Sequence, residues 1–238
     1  MSDERLAPPQ AGAGRALARA VKQHIEGLRV FGVTAVPMAA RTTAPRVEPS
    51  LVSIAEHLAQ LAQEVERCRR CPLYRTRTHA VVSDGTPDAR LVFVGEAPGR
   101  DEDLQGKPFV GAAGQLLTKM IEAMGLRRQD VYICNVLKDR PPANRTPLPE
   151  EVEACLPFLR EQLAIIRPAV ICTLGAVAAR ALLGPHVAIT KIRGDVRDYQ
   201  GIPLVPTFHP AYLLRNPPAK KLVWIDLKKV KQLLEERR

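Results

Sequence analysis

No run of apolar residues in this chain is long enough to span a bilayer, which excludes a helical membrane protein. The N-terminus carries Asp3 and Glu4 and lacks the basic-then-apolar order of a secretory signal. Residues 30–40 are fairly apolar, but they lie late and are broken by Gly32 and Pro37. Cysteine is scarce. Five in 238 residues argue against a disulfide scaffold. A cytoplasmic protein with no membrane contact is expected. Acidic residues are in deficit: 25 Asp and Glu face 35 Lys and Arg, a net charge of +10.

That basic balance favours a polyanionic partner, although many soluble proteins are simply basic. Residues 1–50 hold seven Lys and Arg against four Asp and Glu, so the excess belongs mostly to the remainder. The first fifty residues are rich in Ala, Pro, Gly and Arg, with a short helix possible around Ala16–Leu28 and a linker from Thr42 to Pro49. They are expected to form a flexible extension (1–50) before a folded domain (51–238).

The spacing of Leu51, Ile54, Leu58, Leu61 and Val65 predicts a helix over Leu51–Arg67, which delivers Cys68-Arg-Arg-Cys71. Apolar runs predict strands at 91–94, 131–136, 169–174 and 201–208. Helices are predicted at Gln115–Met124, Pro149–Ile166, Ala176–Leu183 and Lys221–Glu236. Alternating strands and helices imply a mostly parallel sheet covered on both faces. In such sheets ligands bind at the carboxyl ends of the strands. Glu96, Asn135 and His209 each stand at or just beyond a strand end.

The first strand runs into Gly95-Glu96-Ala97-Pro98-Gly99, whose glycines and proline permit a sharp turn near a ligand. Asp101, Glu102 and Asp103 follow, then Phe109. Phe109 is either core or a face on which a base stacks. Asn135 sits in the apolar VYICNVL. It is either a structural amide bonded to backbone or a reader of a base edge. A fixed amide matches the O4 and N3–H edge of uracil, and cytosine presents the reverse pattern. His209, opposite Asn135, can hydrogen-bond a developing oxyanion. The acids are either a solvated face or carboxylates that stabilise a sugar cation and orient water.

Four stretches together resemble the family 4, iron–sulfur type uracil-DNA glycosylases: GEAPGRDED with GKPFVGAAGQLL (95–117), NVLKDRPPANRTPLPEEVEAC (135–155), LGAVAARALLG (174–184) and FHPAYLLRNP (208–217). The resemblance covers roughly residues 55–235. It implies an α/β fold, a three-layer α/β/α sandwich around a four-stranded, mostly parallel sheet. It also implies a DNA repair enzyme that flips uracil out of single- or double-stranded DNA and hydrolyses its N-glycosidic bond, acting as a monomer. Under it, Gly95, Glu96 and Ala97 line the uracil pocket and Phe109 stacks on the base. Asn135 reads the Watson–Crick edge, and His209 bonds O2 and stabilises the uracil anion. Glu102 and its neighbours Asp101 and Asp103 give electrostatic support and position water. Ala211, Tyr212, Leu213, Leu214 and Arg215 form a loop that enters the duplex.

The family binds a 4Fe–4S cluster through four cysteines. Cys68, Cys71 and Cys155 match three of those positions; the remaining position is Asp139. Cysteine thiolate is the usual ligand and a carboxylate is a harder match for iron. An Asp-ligated four-iron cluster, a three-iron cluster and no stable cluster all stay open, with a labile, structural cluster the favoured reading. Cys134 and Cys172 lie on strands and are read as core. A competing reading is a DNA-binding or polymerase-associated module of the same fold with weak activity. A glycosylase that traps its base covalently would want a His-bearing insert, and PPANRTPLP has none.

Overall fold

The structure is a computed structural model in which residues 51–237 are described. The expected 1–50 extension, with its possible helix at Ala16–Leu28, lies outside the described residues.

Helix α1 (Leu51–Arg67) turns Leu61 and Val65 inward against Phe158. After a 3₁₀ turn at Pro72–Arg75 come β1 (Asp84–Gly85), β2 (Leu91–Gly95), α2 (Arg100–Gln105), α3 (Ala112–Ala123) and β3 (Tyr132–Asn135). Then follow α4 (Pro149–Ile166), β4 (Val170–Leu174), α5 (Ala176–Leu183), α6 (Ile189–Ile192), β5 (Arg197–Tyr199) and β6 (Ile202–Thr207). The described chain ends with α7 (Pro210–Arg215) and α8 (Lys220–Glu236).

The sheet has six strands in the order β1-β3-β2-β4-β6-β5. The four inner strands run parallel, as expected. The expectation of four strands in all is corrected, because β1 and β5 add antiparallel edges. Those edges are two and three residues long and mostly solvent-facing, so they have no apolar run to betray them. Residues alternate between faces along each inner strand. Leu91 and Phe93 join a core with Leu117, Ile121, Val223 and Leu227 from α3 and α8. Val92 and Val94 join another with Leu159, Leu163 and Ala178 from α4 and α5. Each fully buried apolar chain contributes roughly 1.5–3 kcal/mol relative to exposure. The three-layer arrangement is therefore set by two apolar faces on one set of strands. No helix among the described residues is long and apolar enough to cross a membrane.

Candidate active site

The parallel strands deliver the expected polar groups to one edge. Gly95 at the end of β2 is in register with Asn135 at the end of β3. The pairing continues beyond the strands, where Val136 N–H donates to Gly95 O and Leu137 N–H to Glu96 O, both at 3.0 Å. Glu96, Ala97, Glu102, Phe109, Asn135 and His209 all line one cleft of about 590 Å³. Three segments far apart in sequence thus converge on one cavity. Gly95 itself lies beneath it: a Cβ there would come within 2.3 Å of Asn135 Oδ1 and 2.5 Å of the Phe109 ring.

Asn135 is 1% exposed, and its Oδ1 is buried with no hydrogen-bond partner among the described residues. An unpaired buried carbonyl is costly, and this one sits at the strand end beside Gly95. The residue is anchored from behind by a group the sequence did not single out. Lys138, fully buried, donates through Nζ to Asn135 O and to Gln162 Oε1, each at 2.7 Å. Gln162 in turn donates to Val82 O and Tyr132 Oη. Burial lowers the Lys138 pKa.

Phe109 is buried with its ring 5.5 Å from that of His209, tilted by 31°. Its φ of 54° is uncommon outside glycine. Gly114 makes room for it, since a Cβ there would sit 1.8 Å from Phe109 O. Arg128 holds the preceding residue, donating to Pro108 O and to Asp84 Oδ2 on the edge strand.

His209 Nδ1 accepts from the Ala211 backbone N–H at 3.1 Å. In the neutral ring the proton then resides on Nε2, which is left to donate. Burial, with a smaller contribution from Arg215, pushes the His209 pKa down to about 4. Behind it, Thr207 donates to Asp226, which is paired with Arg193 and fixes the end of β6.

The acids divide by role. Glu102 accepts from Gly99 N–H at 3.1 Å and from Val110 and Gly111 N–H at 3.0 Å, so its carboxylate clamps the turns on either side of α2. Asp103 is buried and accepts from Thr78 N–H and Oγ1–H. Asp101 is exposed on the cleft wall. Glu96 is half-buried, and desolvation raises its pKa.

Residues 211–215, expected as a loop, form helix α7, because Pro210 suits a first helical turn and His209 caps it. Leu213 is 1% exposed and packs in the core, so it is corrected from a duplex-entering side chain to an anchor. Tyr212, Leu214 and Arg215 are exposed, and Ala211, Tyr212 and Arg215 border the cleft. Arg100 and Arg145 border it too. Sequence reasoning missed both; only the chain's overall basic charge hinted at them. Arg145 is oriented by a bidentate pair with Glu151.

A family model described as the uracil DNA glycosylase superfamily matches residues 82–228. A type-4 uracil-DNA glycosylase of Thermotoga maritima is 50% identical over 186 residues, covering 76% of this chain and 97% of that relative. One from Archaeoglobus fulgidus is 46% identical over 186 residues, covering 75% and 94%. One from Sulfurisphaera tokodaii is 45% identical over 187 residues, covering 75% and 85%. The chain belongs to the type-4 branch of the uracil-DNA glycosylase superfamily.

In this glycosylase the cysteines fall into two groups. Cys134 and Cys172 are fully buried on β3 and β4, and burial pushes the Cys134 thiol up to about 11 and the Cys172 thiol higher still. Cys68, Cys71 and Cys155 share a different setting. The Cys68 sulfur accepts from Arg70 N–H at 3.5 Å, while burial raises the thiol pKa of Cys71 and pushes that of Cys155 up to about 12. Asp139 lies close enough to act on the titration of both Cys71 and Cys155. Among the described residues no three His, Cys, Asp or Glu side chains are placed to hold a single metal ion. A 4Fe–4S cluster takes one cysteine per iron and spreads its ligands over a wider cage. Cys68, Cys71 and Cys155, with the Asp139 carboxylate near the latter two, are a donor set that fits such a cluster, whose usual ligand is cysteine sulfur.

Proposed function

We propose that this chain excises uracil from DNA by drawing the extruded base into the cleft between the GEAPG turn, Asn135 and His209. The buried, unpartnered Asn135 Oδ1 is the observation that carries this reading. Uracil N3–H donates to that oxygen while the amide nitrogen donates to O4. Cytosine offers the reverse pattern and would leave buried polar groups opposed, which selects strongly against it.

Phe109 supplies the stacking face. Base–aromatic stacking is worth about 1–3 kcal/mol, against a few kcal/mol for extrusion. As the glycosidic bond breaks, negative charge gathers on uracil O2, where His209 Nε2–H donates. A neutral donor suits a developing anion that a carboxylate-lined cleft must still release. The sugar acquires positive charge, which the carboxylate of Glu96 stabilises beside the attacking water. Glu102 acts by holding the two turns that shape this wall. Arg100, Arg145 and Arg215 at the rim neutralise phosphates, with Tyr212 and Leu214 presented to the strand.

Cys68, Cys71 and Cys155 would hold an iron–sulfur cluster, with Asp139 at the remaining corner. When bound, it would cross-link the segments around 68–71, 139 and 155, a structural contribution. The steps derived above run on Glu96, Phe109, Asn135 and His209.

The test is an oligonucleotide assay with protein purified anaerobically. Free uracil and an abasic site should appear from a uracil-containing strand, with no base released from a cytosine control. Absence of uracil release from protein that is folded and loaded would overturn the reading.

A further inference from the structure

Arg77 donates through Nη1 to Asp139 Oδ1 at 2.9 Å, across 62 residues of sequence. The same guanidinium donates to Glu66 O and Val65 O, carbonyls in the last turn of α1, two and three residues before Cys68. The two side chains are 14% and 4% exposed, so this is an enclosed ion pair. It ties the chain just ahead of one cysteine to the position where the family's fourth cysteine is absent. Only Oδ1 of Asp139 is engaged; Oδ2 accepts no hydrogen bond among the described residues.

We propose that Arg77 and Asp139 act together in place of the fourth thiolate, Arg77 gripping Oδ1 so that Oδ2 is left to ligate iron. The inference rests on the reading of Cys68, Cys71 and Cys155 as cluster ligands. A carboxylate is a weak and conformationally free match for iron. A guanidinium on its other oxygen fixes its orientation, as outer partners do for metal-binding carboxylates generally. Arg77 is thus a positioning residue.

The test measures iron and labile sulfide per chain, together with the electron paramagnetic resonance spectrum, in anaerobically purified holoprotein. Four proteins are compared: wild type, Arg77→Met, Asp139→Cys and the double variant. Wild type should hold about four iron atoms, the complement of a 4Fe–4S cluster. Arg77→Met should fall to about three or fewer and show a three-iron signal. Asp139→Cys and the double variant should both hold about four, because a thiolate needs no guanidinium to orient it. Iron unchanged in Arg77→Met would overturn the proposal. So would iron lost in Arg77→Met and the double variant alike, since Arg77 would then act only on the fold. Loading of Asp139→Cys but not of wild type would overturn the ligand role of Asp139 while leaving the cysteine reading intact. No iron in any of the four would defeat the cysteine reading itself.

Discussion

Replacing Asn135 with alanine separates a binding residue from a structural one, because the two readings predict opposite signs in folding stability. Asn135 Oδ1 is buried and unpaired. Leaving such a group unsatisfied costs about 1–3 kcal/mol in the free protein. Asn135→Ala removes that cost and loses roughly 1 kcal/mol of side-chain packing beside Gly95 and Phe109. The net effect is neutral to about 2 kcal/mol stabilising. At about 2–4 °C per kcal/mol for a domain of this size, Tm should hold or rise by a few degrees. Catalysis should move the other way. Two hydrogen bonds to the base edge, at about 1.5 kcal/mol each or more, disappear from the transition state. That lowers kcat/KM by roughly 100-fold or more, at 1.36 kcal/mol per decade. Discrimination against cytosine should shrink by a similar factor, because the remaining apolar wall treats both edges alike. The assays are thermal unfolding of the free protein and single-turnover release from matched uracil and cytosine oligonucleotides. A Tm that falls by several degrees while uracil release persists would show that the amide serves the fold, and the recognition argument would fail.

Two further outcomes follow from the same cleft. Burial pushes the His209 pKa down to about 4 in the folded chain, from the ordinary 6.5 of an unfolded one. The unfolded state therefore binds the extra proton between those values, and the His209 contribution to stability is lost as pH falls from about 6.5 to 4 and is constant above. For the same reason kcat/KM should carry no His209 ionisation between about pH 5 and 8; a limb near pH 6.5 that vanishes in His209→Gln would refute the neutral-donor role. Glu102→Ala leaves three backbone N–H groups without their acceptor and should cost about 2–4 kcal/mol, whereas Asp101→Asn, on an exposed carboxylate, should stay within about 0.5 kcal/mol. Equal Tm values for the two variants would show that Glu102 is not the clamp.

How much of this was legible in the sequence depends on what kind of interaction each feature uses. Leu91–Val94 and its three partners are continuous apolar runs, which local pattern exposes, so the inner sheet and the edge it presents could be read directly. Asn135 and His209 were found by the same logic, as polar residues where such runs stop. The edge strands β1 and β5 were not legible, because they exist through pairing rather than through any apolar pattern of their own. Helix α7 was hidden by its length: six residues, the first of them Pro210, carry too little periodicity to read as a helix, and only packing reveals that Leu213 faces inward. The resemblance raised Glu102 as a carboxylate for electrostatic support and water positioning but said nothing of its three N–H donors, which come from residues 99, 110 and 111.

Arg77 and Lys138 mark a different boundary. Each is a cation in a basic chain, indistinguishable in sequence from surface charge, and each is defined by partners brought to it by the fold. Lys138 finds Gln162 on α4, and Arg77 finds Asp139 beyond β3. A buried basic side chain is tolerable only where its donors find acceptors, so its position reports which parts of the structure must stay fixed. Lys138 fixes the carbonyl of the residue proposed to read the base. Arg77 fixes the carboxylate that stands where a thiolate is missing. The next residue after Lys138 is Asp139, so both supports meet on one short segment. A disturbance at the cysteine site therefore has a direct covalent route to Asn135, through Val136 and Leu137. Chemistry that does not run on iron can still depend on how that segment is held.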